Sequence, residues 1–382
     1  MKISACIRLD PHAANLGRQI AALPSSSGVY LLAGTPDAAG GTHVHLGWSA
    51  NLPRRLSRLF VSSSTRPANP LASLRENLAG IQCWTTGSKL ETSLLMYQLA
   101  KAYFPGTYMK RLRLRRPWFV GLTAKDPFPR VIVTNRIARN HGGFFGPFPN
   151  RDLAQQYEQE LVSLFQVRRC VERLTPDPEH SGCIYGEINQ CLRPCQCAVT
   201  TEEYASEVKR VAEFLSTNGR SELNVLSSAR DRACEETDFE QAAYIHKQIE
   251  RVNAAVAARD EVIAEVQQFN GVALTRAVQS RNFMLWPMLH GLWQEPITLD
   301  FAAEELRPGC LDQELREQIG ESLQKANTEG KPIEELAVFS RWYFSSWRDG
   351  HWYGFRTLAD LNYRRLVRQI SKMAQPPPSD AA

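Results

Sequence analysis

The chain has 382 residues, enough for two to four modules of ordinary size, and its 43% hydrophobic residues exclude wholesale disorder. Its 45 Lys plus Arg stand against 40 Asp plus Glu, but residues 1–150 hold 19 of the bases and 5 of the acids (a balance of +14), while the rest of the chain balances at −9. A uniformly basic or uniformly acidic chain is excluded: a cationic N-terminal module precedes acidic ones, and cationic modules usually meet polyanions. No apolar run approaches the ~20 residues that span a bilayer. Met1–Asp10 lacks the apolar block of a signal peptide, so a cytoplasmic protein with no membrane partner is expected. In a reducing compartment, nine cysteines point to metal ligation or buried thiols, not disulfides.

In chain order, the pattern predicts a short helix over 12–23, stopped by Pro24, and then two β-rich runs, Gly28–Leu32 and Thr42–Gly47. The link between them carries Gly34, Pro36, Gly40 and Gly41, as a hairpin connection does. Asn51–Phe60 reads as a helix with Leu52, Leu56 and Leu59 on one side and Arg54, Arg55 and Arg58 on the other. Leu71–Leu78 and Leu90–Phe104 are two further predicted helices. Lys110–Arg116 alternates and reads as a basic strand, followed by strands at Trp118–Val120 and Val131–Val133 and a rigid turn at Phe144–Pro149. A helix over 151–165 leads into irregular sequence from Cys170 to Cys197. A long helical region over about 201–266 breaks near Asn218-Gly219. A small β unit covers 268–300; two helices and an aromatic-rich segment, Trp342–Trp352, follow, then a disordered Pro-rich tail.

The constellation Gly28-Val29-Tyr30, His45-Leu46-Gly47 and Arg55 could be two ordinary strands and a helix. Its order, hairpin, glycine and then an arginine-bearing helix, resembles the GIY-YIG nuclease domain. That resemblance implies Tyr30 and Arg55 as catalytic positions, with His45 where the second tyrosine stands and Trp48 where related repair enzymes have lysine. Phosphodiester cleavage needs a base for water, a cation on the developing charge and a carboxylate-held divalent metal. Leu94–Lys101 resembles the helix that carries the family's glutamate, and Met96 falls on that position. A thioether cannot hold Mg²⁺, which demands hard oxygen ligands. Glu91, five residues away, stands about 140° around the helix. The other acids of residues 1–150 are Asp10, Asp37, Glu76 and Asp126. Mg²⁺ is expected only if the site is active.

From Lys101 to Arg139 there are ten Lys/Arg and a single acid, Asp126. A solvated charged face is the ordinary fate of a charge run, but this one is too lopsided to be self-supporting. With aromatics nearby it suits phosphate contact and base stacking, so Arg54, Arg58, Lys110, Arg111, Arg113, Arg115 and Arg116 are the candidate DNA-binding residues.

Cys170, Cys183, Cys191 and Cys195 follow the spacing C-x12-C-x7-C-x3-C within irregular polar sequence, with Cys197 close behind. Four thiolates suit either structural zinc or an iron–sulfur cluster, and spacing does not separate them. Cys6, Cys83, Cys234 and Cys310 read as isolated buried thiols. Phe165–Cys170, Cys183-Ile184-Tyr185 and Cys191–Cys195 resemble the cysteine region of the UvrC family of excinuclease subunits. That resemblance implies a [4Fe-4S] cluster on these four positions, with structural zinc as the alternative.

Thr237–Ile249 reads as an amphipathic helix packed on Leu223–Glu236 as an antiparallel hairpin. Its Phe239-Glu240-Gln241-Ala242-Ala243 resembles the UVR motif, which implies UvrB as a partner met through Phe239, Glu240, Ala242 and Ala243. His246-Lys247 replaces the usual Arg-Asp. In order, these features make an α/β GIY-YIG-like domain (1–110), a basic β-rich extension (111–150), a cysteine-cluster region (151–200), a helical region with the UVR hairpin (201–266), a small α+β part (267–370) and a tail (371–382). Residues 266–382 show neither the acidic motif set of the family's second nuclease nor helix-hairpin-helix glycines. The expectation is a UvrC-like DNA-binding protein of nucleotide excision repair with an impaired nuclease site. The alternatives are an endonuclease making a single incision, with His45 as base, and a cluster-bearing, redox-responsive DNA-binding protein.

Overall fold

The computed structural model describes residues 6–36, 42–60, 78–123, 126–137, 143–279, 281–300, 308–326 and 330–374. The helix expected over Leu71–Leu78 falls outside these residues except at Leu78. The link at 37–41, the Cys310 side chain and the Pro-rich tail are outside them too. The chain divides into two compact units: one joins residues 1–115 to 270–382, and the other is residues 116–269.

The first unit opens with β1 (Ile7–Leu9), a helix over Leu16–Ala21 and the hairpin β2 (Ser27–Pro36) and β3 (Thr42–Ser49), followed by the helix Leu52–Phe60. β4 (Leu78–Thr86) completes a four-stranded antiparallel sheet in the order β1-β4-β2-β3. The sequence reading missed β4, the strand in the middle of this sheet. Its alternation is blurred because Ile81, Cys83 and Trp84 are all buried. The apolar stripe of the Leu52–Phe60 helix closes a core of Leu9, Ile20, Tyr30, Leu32, Leu56, Ile81 and Cys83. The helix Lys89–Tyr103 is capped by Ser88, whose side chain accepts from Glu91 N, and stops at Phe104 before Pro105.

Lys110–Arg116 is not a strand. Tyr108–Arg111 is a single helical turn, and Arg113 adopts a left-handed conformation with φ 52°. The alternation of Arg and Leu there reflects side chains turning between solvent and protein in irregular chain, with no partner strand beside it.

The second unit holds β5 (Trp118–Leu122), β6 (Val131–Thr134), β7 (Phe144–Phe148) and β8 (Ala264–Glu265), in the order β6-β5-β7-β8. Phe144–Phe148 was expected to be a turn and is instead an interior strand. Pro147 is tolerated where the β5–β7 register shifts, a place where a ladder donor is dispensable. A Cβ at Gly146 would collide with the Phe119 ring. Helices at Arg151–Leu164, Thr201–Thr217, Arg220–Glu235 and Phe239–Ala257 follow, with the predicted break at Asn218 (φ 53°) and Gly219 (φ 79°).

The chain then returns to the first unit through β9 (Asn270–Arg276), β10 (Phe283–Leu289), β11 (Leu292–Trp293), β12 (Ile297–Leu299) and β13 (Gly350–Phe355), one antiparallel sheet. Helices Pro308–Gln324 and Tyr363–Ala374 cover it around Leu274, Leu285, Leu315, Ile319, Leu366 and Ile370. A third helix, Pro332–Tyr343, packs on Lys89–Tyr103: Tyr97 and Tyr108 both donate to the Glu334 carboxylate, at 3.1 and 2.6 Å. The aromatic segment splits, with Trp342 fully buried and Trp347 39% exposed. No helix among the described residues is long and apolar enough to cross a membrane.

Candidate functional site

Three predicted residues converge on the β2–β3 hairpin. Tyr30 pairs with Gly47 across the two strands, and a Cβ at Gly47 would stand 2.5 Å from the Tyr30 hydroxyl oxygen, so glycine makes room for the phenol. Arg55, from the helix after β3, donates through Nε to that hydroxyl at 3.2 Å. The His45 ring stands 6.0 Å from the Tyr30 ring. Burial, then the Arg55 and Arg111 guanidiniums, lower the His45 pKa, so its imidazole is neutral at neutral pH. Tyrosine, arginine and a neutral histidine form a compact set able to accept or pass a proton beside a fixed cation.

Gly47 also borders a cavity of about 530 Å³ that Trp48, Lys89, Met96 and Arg111 help to line. Met96 thus presents a thioether to this cavity, and no carboxylate is among the lining residues. Glu91 is buried at the start of its helix, where its carboxylate accepts from Gly87 N at 2.6 Å. Asp10 accepts from His12 N, and Asp126 is ion-paired with Arg168. Asp37 and Glu76 lie outside the described residues.

Of the expected DNA contacts, Arg54, Arg58, Lys110, Arg111, Arg113, Arg115 and Arg116 are all exposed. Arg111 lies 4.0 Å from the centroid of the Phe104 ring. Arg341, which the sequence reading did not select, donates to the Leu112 carbonyl at 2.8 Å and so joins this basic segment from the distant helix Pro332–Tyr343.

In the second unit, the cysteine segment is held from below by Arg168, which is 2% exposed. Its guanidinium donates to the Phe128, Cys170 and Glu172 carbonyls and to the Asp126 carboxylate, and reaches Cys170 Sγ at 3.4 Å. Its backbone N–H donates to the Tyr204 hydroxyl. Burial and the Cys183, Cys170 and Cys195 thiols push the Cys191 thiol up against a lowering bond from the Arg193 N–H; burial, Cys183 and Cys170 likewise raise Cys195. The donor set, four soft sulfurs with N–H donors on Cys170 and Cys191, is of the kind that suits a thiolate-held group. As placed, no group of three or more His, Cys, Asp or Glu among the described residues could hold a metal ion. Cys83 is buried as expected, but Cys6 and Cys234 are exposed; Cys234 lies outside the hairpin seam that its neighbour Ala233 fills.

That hairpin packs Arg220–Glu235 on Phe239–Ala257 through Ala233, Ala242 and Ile245. Ala242 is turned inward, so it serves the hairpin itself, while Phe239 (71% exposed), Glu240 and Ala243 face solvent.

A family model described as UvrC/Cho excinuclease, middle domain, matches residues 118–214. Curated proteins named UvrABC system protein C are similar along more of the chain. That of Chlorobaculum tepidum is 29% identical over 241 residues, 62% of this chain and 37% of the relative. That of Alcanivorax borkumensis is 31% identical over 57% of this chain and 35% of the relative. That of Dehalococcoides mccartyi is 25% identical over 86% of this chain and 54% of the relative. The chain thus spans about a third to a half of the length of these relatives. No solved structure matches it.

Proposed function

Because the chain belongs to the UvrC family, we propose that it is a UvrC-like DNA-binding protein of nucleotide excision repair whose GIY-YIG-type site binds DNA but is impaired in cutting it. The observation that carries this reading is Met96 at the glutamate position, lining with Lys89 and Arg111 a cavity beside Gly47 that has no carboxylate among its lining residues; Tyr30, His45 and Arg55 do not line it and meet it only through Gly47. Such a surface attracts phosphate and leaves Mg²⁺ without its hard oxygen ligands. The exposed Lys110 and Arg115, next in the chain to the lining residues Arg111 and Leu114, add to the same field.

Cys170, Cys183, Cys191 and Cys195 hold a [4Fe-4S] cluster in this reading, with structural zinc as the alternative; either group supplies a covalent brace for irregular chain. Protein purified without oxygen separates them: broad absorbance near ~400 nm marks the cluster, and a colourless protein with bound zinc marks the alternative. The exposed Phe239, Glu240 and Ala243 suit a UvrB-like helical hairpin as partner.

A second reading, an endonuclease making a single incision with Mg²⁺, draws support from the Arg55–Tyr30 hydrogen bond and the neutral His45. The deciding experiment incubates lesion-bearing duplex with the protein and Mg²⁺, with and without UvrB. The proposal expects retention of the duplex with no incision. Nicking that disappears in Arg55→Ala would overturn it in favour of the second reading.

A further inference from the structure

The same cavity has features that phosphate binding leaves unused. Two of its walls are indoles left partly in water: Trp48, from β3, is 51% exposed and Trp347, from the C-terminal part, is 39% exposed. Large aromatic faces are usually covered, and here both border one cavity of about 530 Å³, within the usual range for small organic ligands. Around them stand Lys89, Arg111, Arg113 and Arg341, with no carboxylate among the lining residues.

The rim is fixed from both chain segments. Arg341 donates to Leu112 O at 2.8 Å. Lys89 N donates to Asp349 at 2.5 Å, and Asp349 also accepts from Trp342 Nε1 at 3.2 Å, which ties down the loop that carries Trp347. The Lys89 ammonium stands over one face of the Trp48 ring, 5.4 Å from its centroid, where an incoming base would displace it or stack on the opposite face. An aromatic face flanked by cations matches a flat, heteroaromatic ring bearing a phosphate, which is the chemistry of a nucleotide. In a duplex the base faces are occupied by their neighbours, so only an unpaired or extruded nucleotide can present one.

We propose that Trp48, Trp347 and the surrounding cations form a pocket for a single unpaired nucleotide of DNA, its base stacked on indole and its phosphates on Arg111, Arg113 and Arg341. The inference rests on the DNA-binding reading above and deepens it: the pocket selects nucleotides outside the duplex stack.

The test uses the full chain and three probes: a duplex with 2-aminopurine in a one-nucleotide bulge, the same duplex fully paired, and free 2-aminopurine nucleoside monophosphate. The bulged duplex is expected to bind at least roughly tenfold tighter than the paired one, with quenching of the 2-aminopurine, since base stacking on an aromatic is worth about that factor or more. Trp48→Ala and Trp347→Ala should each bring the bulged-to-paired ratio towards one, and Trp48→Phe should keep most of it. Their thermal melting should match the wild type, because neither indole is a core residue. Equal affinity for bulged and paired duplex, insensitive to both tryptophans, would overturn the pocket and leave the DNA-binding reading standing. Binding of the free nucleotide with no preference among duplexes would also overturn it. Failure to bind any DNA would remove the underlying reading itself.

Discussion

Arg168 carries its charge into the interior and there meets the Asp126 carboxylate, three carbonyl oxygens and Cys170 Sγ. Removing it leaves a partly exposed carboxylate and several acceptors without their donor, a loss on the order of 1–3 kcal/mol. Arg168→Ala is therefore expected to lower the urea midpoint clearly, and to weaken retention of any thiolate-held group because Cys170 loses its anchor. A midpoint equal to wild type would show that the pair is dispensable. The sequence displays Arg168 only as one more base beside Arg169. Its burial comes from Phe128 and Tyr204, which are tens of residues away, and no local pattern announces that. Tyr30, His45 and Arg55 were legible because a hairpin and the next helix are local structure, so spacing alone brings them together. Trp347 and Arg341 were not, since more than 200 residues separate them from the hairpin they face.

At the scale of elements, adjacent carboxylates on the helix Pro332–Tyr343 respond oppositely to their surroundings. Burial raises Glu334, but hydrogen bonds from Tyr108, Lys331 and Tyr97 outweigh it and hold the carboxyl below its usual range. Burial raises Glu335 to about 7, opposed by the hydrogen bond from Trp293 N and by Lys101. The folded state therefore binds more protons at Glu335 than the unfolded chain between the ordinary carboxylate pKa and about 7. Its contribution to stability is full below that window and is lost as pH rises through it, by on the order of 1–3 kcal/mol. Glu335→Gln should flatten this decline when denaturation is compared at pH 5 and pH 7.5; an unchanged slope would contradict it.

The hairpin of Arg220–Glu235 and Phe239–Ala257 offers a second contrast. Phe239→Ala should change stability by less than about 0.5 kcal/mol, because the ring is exposed, yet weaken capture of a UvrB-like hairpin. Ala242→Leu should cost roughly 1–3 kcal/mol by overfilling the seam, read from the helical signal on melting. The hairpin was readable from period and turn residues. β7 was misread as a turn because Gly146 and Pro147 break most strands, and the register shift that admits Pro147 is set by β5.

For the whole molecule, the charge asymmetry was visible in composition, whereas the union of residues 1–115 with 270–382 in one unit was not. Hydropathy patterns record faces and never which distant face will cover them. That union is what brings Arg341 and Trp347 to the basic segment after the helix Lys89–Tyr103. We propose that this cationic surface binds the phosphates of DNA. The most direct test is the dependence of DNA affinity on salt, compared between wild type and a Lys110→Ala, Arg113→Ala, Arg115→Ala triple variant. Each phosphate contact contributes about 0.9 to the slope of log affinity against log salt. A steep negative slope that flattens by roughly two to three units in the variant is predicted; a shallow slope, the same in both proteins, would contradict the claim.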